Sequence, residues 1–363
     1  MQVEMITTEA ELAQCLSSLD SQAPLCLDTE FMRVRTYYPT LALLQITTGD
    51  EVFLIDPLHV TELAPLWQRL SGPQLKVLHA CGEDLDVLPK PLLPLFDTQI
   101  AAALAGWGMS LGYAALVEKH HGVTLDKGQS RTDWLQRPLT PAQQQYCVND
   151  VLYLPALHQE LAERLDALGR RSWLDEECQR QVQSRGRASE PASAYLDIKN
   201  AWQLKPQGLA VLRELAAWRL AEAQRRNLAL NFVVREEHLW AIAKQQSSRS
   251  ADIRAVLAPA EWRHHGEQLR TLVEKALAQP ESQWPEAIER LIDQPDYKRR
   301  LAEAKDKIAS VASRVALPEA FIGSKKLINE WYRYQFMLTE QQRAASPLPV
   351  LQSGWRLALL GSL

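Results

Sequence analysis

The first fourteen residues, Met1 to Gln14, lack the basic start and apolar core of an export signal, and no apolar run approaches the length of a membrane span. These absences exclude a secreted or membrane-embedded reading and point to the cytoplasm. Cysteine is scarce: Cys15, Cys26, Cys81, Cys147 and Cys178 are odd in number, far apart, and form no Cys-x-x-Cys pair. That excludes a disulfide framework and a cysteine zinc site, and it suits free thiols in a reducing compartment. A positive net charge is missing too. The chain stands at −4, which taken alone argues against a nucleic-acid partner.

That average conceals an asymmetry. Residues 1–178 hold 12 Lys and Arg against 24 Asp and Glu, whereas residues 179–363 hold 28 against 20. An acidic half suits divalent cations and a basic half suits phosphate backbones. With 363 residues, 46% of them hydrophobic and 23% charged, the chain is an ordinary globular composition too long for one core. Two or three domains are expected.

Leu25-Cys26-Leu27 behind Pro24 reads as a buried strand, and its charge comes only at the end, as Asp28 and Glu30. Two apart on extended backbone, these acids project to one side, about 6 to 7 Å from each other. Alone they are most simply a solvated strand end; further carboxylates converging on them would make a cation site. Leu41–Ile46 and Val52–Ile55, joined through Thr47–Glu51, extend the strand into an antiparallel meander. Then come a helix at Leu63–Leu70, a strand at Lys76–Ala80, a helix starting at Glu83–Leu88, a strand around Pro94–Thr98 and a helix at Gln99–Ala105. This alternation predicts an α/β domain with a mixed sheet covered by helices.

Glu83, Asp84 and Asp86 compete for a role at the end of the Lys76–Ala80 strand, where α/β sheets gather their sites. A third acid comes from the helix opened by Thr140 as N-cap, Pro141 at N1 and Gln143 at N3, a capping-box start. There Tyr146 and Asp150 are four apart and share a face, and Asp150 lies beside the apolar Val151, Leu152 and Leu154. A charge so placed needs a partner.

Asp28-Thr29-Glu30, His79 with Asp84 five residues later, and Tyr146-x-x-x-Asp150 resemble the three motifs of DEDDy-class exonucleases. With Phe31, Arg35-Thr36-Tyr37-Tyr38-Pro39, Gln45, Ser130-Arg131-Thr132-Asp133-Trp134 and Arg137-Pro138-Leu139, the chain is similar to the bacterial ribonuclease D family. The resemblance implies a ribonuclease H-like exonuclease fold and a hydrolase that removes 5′-mononucleotides from the 3′ ends of tRNA precursors and other small structured RNAs. It also implies two divalent ions, Mg²⁺ or Mn²⁺. Asp28 would bridge them, Glu30 and Asp150 would hold the water-activating ion, Asp84 would act through the second, and Tyr146 would orient the attacking water. The residue types suit this independently, because hard ions prefer carboxylate oxygens and two ions clamp an in-line displacement.

Phe31 is either a stacking surface for the terminal base or core filling; His79 is a substrate contact or a hydrogen-bonded strand end. Tyr38 shapes the entrance to the site or packs a loop, and Arg131 is a candidate phosphate contact. After a linker and lead-in helix over residues 179–205, Leu209, Leu212, Leu215, Ala216 and Arg219 keep helical spacing. Residues 206–284 resemble the HRDC domain shared by RecQ-type helicases and ribonuclease D, with Phe232 where many such domains have proline. Residues 285–363 are a second HRDC-like helical domain, and residues 1–178 the exonuclease domain. Basic clusters such as Arg225-Arg226 and Lys298-Arg299-Arg300 either grip RNA phosphates or are solvated helix faces. A cytoplasmic, monomeric, metal-dependent exoribonuclease is the expectation. A DNA 3′–5′ exonuclease and a non-catalytic RNA-binding protein are the alternatives.

Overall fold

The computed structural model describes residues 2–126, 128–185, 190–361 and 363. They divide into two compact units: Met1–Met32, Thr40–Arg187 and Pro295–Leu363 form one, and Arg33–Pro39 with Ala188–Gln294 the other. Among the described residues no helix is long and apolar enough to cross a membrane.

In the first unit, strands β1 (Gln2–Ile6), β2 (Leu25–Met32), β3 (Thr40–Thr47), β4 (Glu51–Ile55), β5 (Lys76–Leu78) and β6 (Leu95–Asp97) make one sheet ordered β1-β4-β3-β2-β5-β6. The expected meander is β2, β3 and β4; the parallel pairs are β1 with β4, β2 with β5 and β5 with β6. β2 therefore lies inside the sheet, as its buried Leu25, Cys26 and Leu27 require. Around the sheet pack α1 (Glu9–Ser18), α2 (Ala64–Ser71), α3 (Thr98–Leu104), α4 (Tyr113–His121), α5 (Pro141–Leu152), α6 (Leu154–Ala167) and α7 (Arg171–Arg185).

Several features differ from expectation. The edge strand β1 was not foreseen, because Gln2, Val3 and Glu4 are short of buried apolar positions. The helix expected from Glu83 is a single 3₁₀ turn, Asp84–Asp86, closed off by Pro89 two residues beyond Val87. The domain boundary expected at residue 178 falls inside α7, where Leu174, Cys178 and Val182 are buried and the Asp97 N–H donates to Cys178 Sγ at 3.4 Å. Of the expected linker, residues 179–185 are helical and Gly186 lies outside the described residues. Two 3₁₀ turns, Pro191–Asp197 and Ala201–Gln203, replace the lead-in helix.

The second unit is helical: α8 (Pro206–Arg226), α9 (Leu230–Val233), α10 (Glu236–Gln245), α11 (Ser250–Val256) and α12 (Pro259–Leu277). Leu209, Leu212, Leu215 and Ala216 sit in its core, joined by Ile198, Ala201 and Leu204 from the preceding turns. The unit runs past residue 284 because Trp284 Nε1 donates to the Gln279 carbonyl, Ile288 packs on the core and the Arg290 guanidinium stacks on Trp202 at 4.2 Å.

Chain from Pro295 returns to the first unit as α13 (Tyr297–Val315), α14 (Glu319–Ile322), α15 (Lys325–Phe336), α16 (Glu340–Ala345) and α17 (Gly354–Leu360). Its last helix docks on α7. Trp355 stacks on Trp173 at 4.9 Å and 11°, its indole N–H donates to Glu177 Oε1 at 2.9 Å, and Arg356 pairs with the same carboxylate. Gly354 has φ +50°, and a Cβ there would collide with the Glu176 carboxylate, which accepts the Trp355 N–H at 3.0 Å. Arg356 is 4% and Glu177 5% exposed. Removing one partner of a buried pair strands the other charge, so Glu177→Ala should destabilise the first unit by about 3–5 kcal/mol. A fall in the urea midpoint followed by far-ultraviolet circular dichroism checks this.

Candidate active site

The site is built where β2, α5 and the turn after β5 meet. Thr140 opens α5 as foreseen: its Oγ1 accepts the Gln143 N–H at 3.2 Å, and Gln143 Oε1 accepts the Thr140 N–H at 3.0 Å. The far end is held by a residue sequence reading passed over. The Tyr113 hydroxyl donates to the Asn149 carbonyl and accepts the Tyr153 N–H, both at 3.1 Å, and so fixes the turn that carries Asp150.

Asp28, Glu30 and Asp150 each direct a carboxylate oxygen to a common point, with these oxygens within 4.8 Å of one another. Asp28 lies opposite Gln45 on β3 and Glu30 opposite Leu43; the register shifts immediately after Glu30. Asp84, 8% exposed, does not join this trio directly. The Thr29 hydroxyl donates to its Oδ1, so Asp84 is tied to the strand between the two β2 acids. The turn bearing it is pinned by buried Asp97, whose carboxylate accepts the Ala80 N–H at 3.1 Å and the Cys81 N–H at 3.0 Å while capping α3. Glu83 and Asp86 do not share this position; Asp86 pairs with Arg185 at 3.1 Å.

Enclosure by protein raises the proton affinity of all four acids, and repulsion from the other site acids adds to it for Asp28 and Glu30. For Glu30, burial followed by Asp150 and Asp84 pushes the pKa to about 9. Burial moves Asp150 to about 7, offset in part by the Tyr146 phenol, and Asp84 to about 6, offset by the Thr29 hydroxyl. Asp28 rises well above the carboxylate range through burial, then Asp150, Asp84 and Glu30. The Tyr146 phenol is itself shifted upward, by burial and then by Asp150, Glu30 and Asp28. In the metal-free protein it therefore keeps its proton at neutral pH, which suits hydrogen-bond donation better than proton removal. The trio is an all-oxygen donor set that favours positive charge, which fits a hard divalent cation.

The remaining candidates divide. His79 has both ring nitrogens engaged: Nε2 lies 3.0 Å from the Leu111 carbonyl and Nδ1 2.9 Å from Thr98 Oγ1, so the imidazole braces the strand end. Phe31 is partly buried just after the register shift, and Arg131 is exposed between α4 and α5. Tyr38 belongs to the helical unit. Trp134, three residues after Arg131, is buried with its ring 5.9 Å from that of Tyr146. Its segment is clamped by Arg137, which pairs with buried Asp56 through Nε and Nη2 at 2.5 and 2.8 Å. The basic clusters are largely engaged: Arg225 and Arg226 pair with Glu222, Arg299 with Asp296 and Glu303, and Arg300 stacks over Phe336 at 4.0 Å.

The sequence matches the 3′–5′ exonuclease family over residues 3–166, the HRDC domain over 208–273, and the ribonuclease D C-terminal HRDC domain over 295–363. Ribonuclease D of Psychromonas ingrahamii is 41% identical over 366 residues, covering 99% of this chain and 99% of that protein. The crystal structure of Escherichia coli RNase D, described as an exoribonuclease involved in structured RNA processing, has a TM-score of 0.93 and 41% identity, covering 99% of this chain and 96% of that one. The catalytic core of RRP6 from Trypanosoma brucei, 22% identical with a TM-score of 0.59 over 76% of this chain and 79% of that one, shares the fold.

The raised pKa values set a pH dependence for the metal-free protein. Its folded acids hold protons that the unfolded chain has already released, so the contribution of these acids to stability is greatest below the ordinary carboxylate range and falls as pH rises toward about 9. Glu30→Gln should therefore raise the urea midpoint of the metal-free protein at pH 8, by on the order of 1–2 kcal/mol after allowance for solvent screening, and leave it nearly unchanged at pH 4. Chemical denaturation in EDTA at both pH values measures this.

Proposed function

The chain belongs to the ribonuclease D family and is a hydrolytic 3′–5′ exoribonuclease, and we propose that it works through two divalent cations on the 3′ ends of tRNA precursors and other small structured RNAs in the cytoplasm. The observation that carries the metal reading is the convergence of Asp28, Glu30 and Asp150 within 4.8 Å. Carboxylates of such high proton affinity, brought together on an interior strand, are supported at neutral pH by cations.

In this reading Asp28, Glu30 and Asp150 hold one ion, and Asp28 with Asp84 the other. When bound, Mg²⁺ or Mn²⁺ neutralises the acids and stabilises charge on the attacking and leaving oxygens of the phosphodiester. Thr29 sets the side from which Asp84 approaches, by occupying its Oδ1. Tyr146, protonated and on the same helix face as Asp150, donates a hydrogen bond that orients the attacking water. Phe31 offers a ring to the terminal base and Arg131 a guanidinium to a phosphate. The relative from E. coli is described as acting on structured RNA, which supports the substrate class.

A 5′-labelled tRNA precursor with an extended 3′ end, incubated with Mg²⁺ or Mn²⁺, should shorten one nucleotide at a time, faster than a matched DNA strand. Asp28→Asn should slow this by on the order of 10³-fold. Tyr146→Phe should lower kcat by about 10²-fold with little change in RNA affinity. RNA that is bound but never shortened overturns the catalytic reading, and DNA degraded equally well overturns the substrate assignment.

A further inference from the structure

The helical unit is electrically balanced over most of its length. Ala188–Gln294 holds 14 Lys and Arg against 14 Asp and Glu, so the basic excess of the second half of the chain lies elsewhere. Much of its charge is also paired: Arg270 with Glu267 and Glu274, Lys275 with Glu214, Arg290 with Asp293, and Arg225 and Arg226 with Glu222. Such a unit has little long-range attraction for a phosphate chain. Its one imbalance is the segment Arg33–Pro39, which brings Arg33 and Arg35 and no acid.

That segment is fixed to the helices by its backbone and by Tyr37. The Ala229 N–H donates to the Arg35 carbonyl at 2.8 Å, and Asn227, in the left-handed conformation that ends α8, accepts the Tyr38 N–H on Oδ1 at 2.9 Å. Gln224 Nε2 donates to the Tyr37 hydroxyl at 3.3 Å, and the Tyr37 ring packs on the unit's core. What remains outward is aromatic and cationic. Tyr38 is 51% exposed and meets Tyr37 edge-on at 4.9 Å; Phe232 on α9 is 56% exposed, with the Arg35 guanidinium 5.7 Å from its ring centre.

Single exposed apolar side chains are ordinary and call for nothing. Here two rings and a guanidinium are held on one anchored junction, and their chemistry suits an unpaired nucleotide. An aromatic face stacks on any base, and an arginine beside it meets a phosphate or a second base face. Phe232 supplies an aromatic ring where many HRDC domains have proline, whose saturated ring offers no aromatic face.

We propose that Tyr38, Phe232 and Arg35 form a stacking site on the helical unit for an unpaired RNA nucleotide, without choice of base. The site deepens the RNA reading above and rests on it. Binding of fluorescein-labelled decauridylate and decaadenylate to the full chain, measured by anisotropy in EDTA so that no cleavage occurs, tests it. Phe232→Ser should weaken both by about tenfold, Tyr38→Ser similarly, and the double variant more; Phe232→Trp should bind at least as tightly as the parent. A 4-thiouridine in decauridylate should cross-link to the peptide containing Tyr38 or to that containing Phe232. Because all three side chains are exposed, thermal melts of the variants should match the parent, separating lost binding from lost fold. Unchanged affinity in the double variant, or cross-links confined to other peptides, overturns the site and leaves the aromatic face to a protein partner. Hydrolysis of a small phosphodiester, thymidine 5′-(p-nitrophenyl phosphate), by the parent chain with Mn²⁺ reports the acidic site separately. Its failure removes the exonuclease reading without deciding the binding result.

Discussion

Asp28, Glu30 and Asp150 bring oxygens within 4.8 Å of one another, and each holds its proton more tightly than a free carboxyl does. A cluster of this kind opposes folding at neutral pH, so the elements that carry it must be stable for other reasons. β2 has β3 on one side and β5 on the other, and its apolar half is fully buried. α5 is capped at its start by Thr140 and Gln143 and tied at its end by the Tyr113 hydroxyl. The turn bearing Asp84 is held by Asp97 and by Thr29. Packing and hydrogen bonds from groups outside the trio keep the acids together, leaving the trio's charge available for a cation.

The parts of this arrangement visible in the sequence are those with local signatures. The Asp-x-Glu spacing follows from strand alternation, the Tyr146–Asp150 pairing from helical periodicity, and the start of α5 from its capping box. The parts that were not visible depend on contacts distant in sequence. Thr29 reads as a spacer until it is found 55 residues from its partner Asp84. Tyr113 acts on α5 from 36 residues away. Asp97 did carry a signal, an Asp ending a strand just before Thr98-Gln99-Ile100, which is how an N-cap appears. His79 shows the limit of motif reading, since its position beside the site says nothing about the carbonyl and hydroxyl that occupy its ring.

Sequence order also misleads about which pieces belong together. Arg33–Pro39, seven residues just beyond β2, is part of the helical unit, while Pro295–Leu363 is part of the exonuclease unit. A composition shift near residue 178 marks a real change in charge but not a structural boundary, because α7 runs through it. The basic excess that separates the two halves of the chain is absent from Ala188–Gln294. Charge and architecture thus divide this chain at different places, and a domain assignment based on charge inherits the wrong one.

The docking of α17 on α7 bears on how the first unit closes. Glu176 and Glu177 lie far in sequence from the residues that donate hydrogen bonds to them, Trp355 and Arg356, the latter also balancing the charge of Glu177. Until α17 is in place, Trp173 lacks the ring that stacks on it and both glutamates lack these donors. The first unit is thus closed by a contact between segments far apart in sequence, and the entropy of closing so long a loop makes such a contact slower to form than local structure.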